Sequence, residues 1–220
     1  MKAGALLIFD IDGVLVDASN SYRQAIQQTC RFFTGLDVSP AEIQSYKNRG
    51  GLNNDWDLTE AILKDNGMQI EKKLIIKKFQ EYYNRFKKAE KWLLNKTTLD
   101  ELSKNYSLAI LTGRPWGDAY ESLKTNAVKW YFKLVVAMED VSRQKPDPEG
   151  LLKILGKYPG MEAYYFGDTV DDMKAAVSAG VIPIGVLPPQ DKSGSLEALL
   201  INNGARIVIQ NINEIYKALK

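Results

Sequence analysis

Short continuous apolar runs recur along this chain, and they constrain its architecture more than any other feature. Ala5–Phe9, Ser107–Leu111, Leu134–Ala137, Ala163–Phe166 and Val181–Ile184 are each long enough for one strand and too uniform for a sheet with one wet face. Runs of this kind suit strands buried on both faces of a parallel sheet. Between them lie helical patterns, such as Glu149–Lys157 and Val170–Ala179, the second closed by Gly180. Strand and helix alternating in this way predict βαβ units, an α/β fold in which ligands bind outside the carboxyl ends of the strands.

The rhythm breaks between residues 17 and 96. That span holds helix-like segments and no buried strand pattern; Glu71–Phe86, for example, carries Leu74, Ile75, Phe79, Tyr82, Tyr83 and Phe86 near helical spacing. We therefore expect a catalytic core of residues 1–16 and 97–220, with residues 17–96 as an all-helical insert. Pro188–Gly194 predicts a surface loop before a last helix–strand–helix stretch.

Absences narrow the chemistry. The chain has no histidine, which excludes Ser-His-Asp and Cys-His nucleophilic sites and His-ligated zinc. Cys30 is the single cysteine, so no intrachain disulfide forms and a reducing, cytoplasmic setting is expected. A net charge of +2 lacks the basic excess of a nucleic-acid binder, and no apolar run reaches membrane-spanning length. Nor does the segment before Asp10 have a signal-peptide layout.

Acid–base work then falls to carboxylates and lysines, and these stand where the strands end. Asp10-Ile11-Asp12-Gly13 follows the first run, Thr112-Gly113-Arg114 the second, Lys145-Pro146-Asp147-Pro148 comes after the third, and Gly167-Asp168-Thr169-Val170-Asp171-Asp172 follows the fourth. Each group alone reads equally well as turn or cap chemistry. In one parallel sheet, however, all four converge on one edge. Asp10, Asp12, Asp168 and one of Asp171 or Asp172 would then crowd together, and like charges at such range repel strongly. A hard divalent cation resolves the repulsion, and an all-oxygen donor set with phosphate at hand favours Mg²⁺. Thr112 and neighbouring amides offer hydrogen bonds to phosphoryl oxygens, Lys145 offers a fixed charge, and the helix from Val170 points its N-terminus at the same place.

These four groups in this order resemble the four motifs of the haloacid dehalogenase superfamily, and Phe9-Asp-Ile-Asp-Gly-Val-Leu-Val-Asp17 is a full match to the first. The resemblance implies a Rossmann-like three-layer core with a parallel sheet plus an inserted helical cap, similar to phosphoglycolate phosphatases and β-phosphoglucomutase. By the same resemblance, Asp10 is the nucleophile that becomes an aspartyl-phosphate and Asp12 the acid and base. Asp10, Asp168 and the backbone carbonyl of Asp12 would hold Mg²⁺. Thr112, Gly113 and Lys145 would bind phosphoryl oxygens, while Asp172 would orient metal-bound water or Lys145, with Asp171 beside it. The dehalogenases of the superfamily lack an acid two residues after the nucleophile, so Asp12 argues for phosphate.

The expected activity is therefore Mg²⁺-dependent hydrolysis of a small phosphorylated metabolite, by a monomer or homodimer that binds neither nucleic acid nor membrane. Two alternatives are a β-phosphoglucomutase-like phosphomutase, whose typical cap histidine is missing here, and a catalytically silent binding or regulatory protein. Arg23, Arg49, Asn53, Asn54 and Trp56 are the cap candidates for substrate specificity, with a helix-capping turn as the structural alternative around Asn54. Arg114 is a further anion-contact candidate, set against an exposed arginine at a helix start.

Overall fold

Buried apolar strands explain most of the architecture of the sheet-containing unit. The computed structural model describes residues 4–52 and 54–219, so the specificity candidate Asn53 lies outside the described residues. In chain order the strands are β1 (Leu6–Phe9), β2 (Val16–Asp17), β3 (Lys91–Trp92), β4 (Ser107–Leu111), β5 (Leu134–Val136), β6 (Ala163–Gly167), β7 (Ile182–Val186) and β8 (Ile207–Ile209). β2 and β3 form a two-residue ribbon, and the other six make one sheet in the order β5-β4-β1-β6-β7-β8. Every pairing in that sheet is parallel.

The register explains why the runs are apolar throughout. Leu7 and Phe9, with Leu108, Ile110, Tyr164 and Phe166, pack into one core. Leu6 and Ile8, with Ala109, Leu111, Ala163 and Tyr165, pack into another on the opposite face. Successive side chains alternate between faces, so only a strand apolar at every position can serve both layers. Each fully buried Leu, Ile or Phe contributes about 1.5–3 kcal/mol, which makes the six-stranded core the main source of stability. Phe9 and Phe166 stack at 5.1 Å, which fixes β1 against β6. The result is a three-layer, Rossmann-like α/β sheet.

Around it lie α5 (Lys96–Asn105), α6 (Trp116–Thr125), α7 (Glu149–Leu155), α8 (Val170–Ala179) and α9 (Gly194–Asn202). Pro188, expected in a surface loop, is buried, and exposure begins at Pro189. β4 and β5 extend the sheet to one side of β1, whereas β6, β7 and β8 extend it to the other. The order of connection reverses beside β1, and such a reversal is where α/β sheets hold ligands.

The chain divides into two compact units, Met1–Asp17 with Trp92–Lys220 and Ala18–Lys91. The second contains α1 (Tyr22–Thr34), α2 (Pro40–Arg49), α3 (Asp55–Asp65) and α4 (Lys72–Phe86). It has its own core, in which α1 buries Tyr22, Ala25, Ile26, Thr29 and Cys30 at helical spacing and α4 buries Ile75, Phe79 and Tyr83. Leu74, grouped with that stripe by its spacing, is 50% exposed, because a stripe of one residue per turn leaves its neighbour on the wet side. Among the described residues, no helix is long and apolar enough to cross a membrane.

Candidate active site

The carboxyl ends of β1, β4 and β6 bring the motif residues together. Asp10 follows β1 directly and its amide donates to the Phe166 carbonyl at 2.9 Å, so its backbone is still held in the sheet. The chain then bends tightly: Gly13 donates to the Val16 carbonyl, and both Leu15 and Val16 donate to that of Ile11. Gly13 has φ of 75°, and a Cβ there would lie 2.2 Å from Asp168 Oδ2. Only glycine allows the first loop to approach the loop after β6 so closely.

Asp168 follows β6, and Thr169 then caps α8 by accepting from the Asp172 amide at 3.2 Å. Asp172 Oδ2 answers as the other half of a capping box, accepting from the amides of Asp168 and Thr169 and from the Thr169 hydroxyl. Its Oδ1 accepts from Lys145 Nζ at 2.6 Å and from the Tyr165 hydroxyl at 2.8 Å. Lys145 follows β5 by way of the loop that leads to α7, and the Lys145–Pro146 peptide is cis. Its Nζ is 3.3 Å from Asp10 Oδ1 and donates to the Tyr165 hydroxyl at 3.0 Å.

One oxygen of each of Asp10, Asp168 and Asp172 lies within 4.8 Å of the others. The structure thus joins three of the predicted acids and separates two. The Asp12 carboxylate is turned to Arg114, and Asp171 is buried in the first turn of α8, outside that trio. Asp10 and Asp168 carry the donor character a hard cation needs. Among the described residues, Asp10 Oδ1 is buried without a hydrogen-bond partner, with Lys145 Nζ 3.3 Å away. Asp172 fits a metal less well, because its two oxygens already accept five hydrogen bonds.

The electrostatics follow from burial. Asp10 is pushed up from 3.8 to about 7, first by burial, against the pull of Lys145 and with the repulsion of Asp172 and Asp12 added. Burial would lower Lys145, but Asp10 and Asp172 outweigh it and hold the ammonium above its ordinary value. Asp172 is lowered although burial opposes this, because Lys145 pairs with it and Thr169 and Tyr165 donate to it. A carboxyl forced toward neutrality in a dry cluster of acids is a place where a bound cation restores the charge balance.

Thr112 is buried at the end of β4; its amide donates to the Val136 carbonyl and its Oγ accepts from the Arg114 amide at 3.2 Å. Gly113 is half-buried in the same bend. Arg114, weighed as an anion contact against an exposed arginine at a helix start, is 1% exposed and grips the Asp12 carboxylate. Its position just before Pro115 and α6 did not decide between the two or identify Asp12 as its partner, since it is the folded bend that turns the side chain inward. Tyr165 was also missed as a site residue. It reads as one apolar position in a strand, and nothing in the run marks the hydroxyl as a partner of Lys145.

The cap candidates are placed within their own unit. Asn54 is the N-cap of α3, its side chain accepting from the Trp56 amide at 2.8 Å, and Trp56 is half-buried against the cap core. Arg23 donates to Gln44 at 2.5 Å, and Arg49 is exposed with its guanidinium 4.4 Å from the centre of the Tyr46 ring.

A family model described as haloacid dehalogenase-like hydrolase matches residues 7–186, which include all four motifs. The chain is 36% identical over 205 residues to an imidazoleglycerol-phosphate dehydratase of Phytophthora nicotianae, covering 86% of this chain and 45% of that one, so it spans less than half of that relative's length. It is 27% identical to a phosphoglycolate phosphatase of Vibrio cholerae, covering 84% of this chain and 85% of that one. In fold it is similar to a hydrolase from Pseudomonas syringae, with a TM-score of 0.76, 22% identity, and 98% and 97% of the two chains covered. With the motif residues gathered at one sheet edge and the family match running through all of them, the chain belongs to the haloacid dehalogenase-like hydrolases.

Proposed function

We propose that the protein is a Mg²⁺-dependent phosphatase that cleaves phosphate monoesters of small metabolites through an aspartyl-phosphate on Asp10. The observation that carries this reading is the buried Asp10–Lys145–Asp172 arrangement beside Asp168: a carboxylate with one unbonded oxygen, a fixed ammonium 3.3 Å away, and a second acid that anchors the ammonium. In the first step Asp10 Oδ attacks phosphorus while the ester P–O bond breaks, and Asp12 gives its proton to the departing oxygen. In the second, water attacks the phosphorus of the acyl phosphate, Asp12 takes the proton, and Asp10 is released. Lys145, Thr112 and Gly113 bind the phosphoryl oxygens, and Asp172 holds Lys145 in place. The carboxylates of Asp10 and Asp168 and the backbone carbonyl of Asp12 would hold the metal, which when bound supplies positive charge beside the phosphoryl group.

The names of two relatives support the substrate class. One is a phosphoglycolate phosphatase, and the other is named for a phosphorylated glycerol derivative. The specific ester is set by the cap candidates Arg23, Arg49, Asn53, Asn54 and Trp56. A cytoplasmic setting agrees with the lone cysteine, which can form no intrachain disulfide.

Phosphate release from a panel of phosphorylated metabolites with Mg²⁺, beside the Asp10→Asn variant, tests the reading. We expect turnover of at least one monoester that vanishes in the variant. Substantial turnover by Asp10→Asn would defeat the covalent mechanism, and silence of the parent across the panel would favour a binding protein.

A further inference from the structure

Arg114 and Asp12 form a contact that the reaction outlined above does not use. Arg114 Nη2 donates to Asp12 Oδ1 at 2.6 Å, and Nε lies 3.0 Å from Oδ2 and 3.2 Å from Oδ1, so the guanidinium engages both oxygens of the carboxylate. The two partners differ in setting. The Arg114 side chain is fully buried, whereas that of Asp12 is 27% exposed at the rim of the site.

The arginine is also fixed from behind. Its amide donates to Thr112 Oγ at 3.2 Å, and its carbonyl accepts from the Met138 amide at 3.0 Å. Its backbone is therefore tied both to the phosphate-binding bend after β4 and to the segment after β5. Stability alone is a poor reason for such a residue. Removing a guanidinium from water costs several kcal/mol, and a buried ion pair seldom returns more than that cost. A planar fork gripping two oxygens does supply direction, which a carboxylate on a short glycine-containing loop otherwise lacks.

We infer that Arg114 is a positioning residue for Asp12: the buried guanidinium sets the direction of the carboxylate so that its proton meets the departing ester oxygen. The inference rests on the phosphatase reading above. It predicts a dependence on the leaving group. An alkoxide needs Asp12's proton as the P–O bond breaks, whereas 4-nitrophenolate departs without it. Proton transfer by a placed acid contributes about 10²–10⁴-fold, and misplacing it forfeits part of that.

The test compares kcat/KM for benzyl phosphate and 4-nitrophenyl phosphate with Mg²⁺ in the parent, Arg114→Met, Arg114→Lys, Asp12→Asn and the double variant Asp12→Asn/Arg114→Met. We expect Arg114→Met to lose roughly 30–100-fold on the benzyl ester and less than about 5-fold on the aryl ester. Arg114→Lys should recover part of the benzyl loss, and the double variant should be no slower on that ester than Asp12→Asn alone. Turnover of the aryl ester certifies the fold within the same assay; if Arg114→Met does not fold, Arg114→Gln and Arg114→Lys carry the comparison. Equal losses on both esters, or losses that add in the double variant, would overturn the assignment while leaving the phosphatase reading intact. A parent inert on both esters would overturn the phosphatase reading, and this assignment with it.

Discussion

At the scale of single residues, Asp10 is held in electrostatic tension by its burial. Its folded value of about 7 exceeds the ordinary 3.8, with burial as the main cause. An acid raised in this way contributes its full stability below about pH 4 and loses it as the pH rises through about 7. Asp10→Asn keeps the shape and removes the charge. Without metal, the variant should therefore be more stable than the parent at pH 8 by roughly 1–3 kcal/mol, with the gain fading toward pH 4. Urea melts at pH 4, 6 and 8 read the trend; a variant weaker than the parent at pH 8 would mean that the Lys145 pairing outweighs burial. Tyr165→Phe removes a buried hydroxyl that bonds both Lys145 and Asp172, and should cost about 1–2 kcal/mol in the same melts. Legibility at this scale was uneven. The aspartates and Lys145 stood out because four groups, each ambiguous alone, follow successive apolar runs and so converge on one edge of a parallel sheet. Arg114 and Tyr165 did not, because inward direction and a shared partner are properties of the folded bend and sheet.

At the scale of elements, α8 is the piece that sequence and structure describe alike, since its cap, its first acidic turn and its closing glycine are all local chemistry. β4 is the same case, with every position from Ser107 to Leu111 as expected. The two-residue strands β2 and β3 were not legible, because pairs that short have no periodicity to read. The approach of α8 to β6 was not legible either, and it makes a prediction. A Cβ at Gly167 would lie 2.3 Å from the Cβ of Asp172, which belongs to the rigid first turn of the helix. Gly167→Ala should therefore displace Asp172, cost about 1–3 kcal/mol, and loosen Lys145. The chemical shift of the Lys145 ammonium and a urea melt should move together; an unshifted ammonium would show that the helix yields without moving Asp172.

At the scale of the whole molecule, the α/β class and the edge that gathers the site were readable from where the apolar runs end. The strand order was not, since parallel runs of similar length carry no mark of their neighbours. If Asp10 and Asp168 hold a divalent cation, saturating Mg²⁺ at about 100 times its dissociation constant should add about 2.7 kcal/mol. For a chain of this size that is a rise in Tm of roughly 5–10 °C. Calorimetry with and without the ion checks it, and Asp168→Asn should abolish the shift.

The place of β1 in the sheet has a consequence for how the protein comes into being. It precedes the other strands of its sheet in the chain, yet Leu6 pairs with Ser107 on one side and Ala163 on the other. On the ribosome its apolar residues wait until the segment through Phe166 has been made before both edges are covered. Such distant pairings form slowly and leave sticky segments open in the meantime, so the newborn chain is a natural client for chaperones. The nucleophile shares that wait: Asp10 emerges early, but its surroundings close only once the segment through Asp172 has been synthesised, and no shorter nascent chain can possess the site.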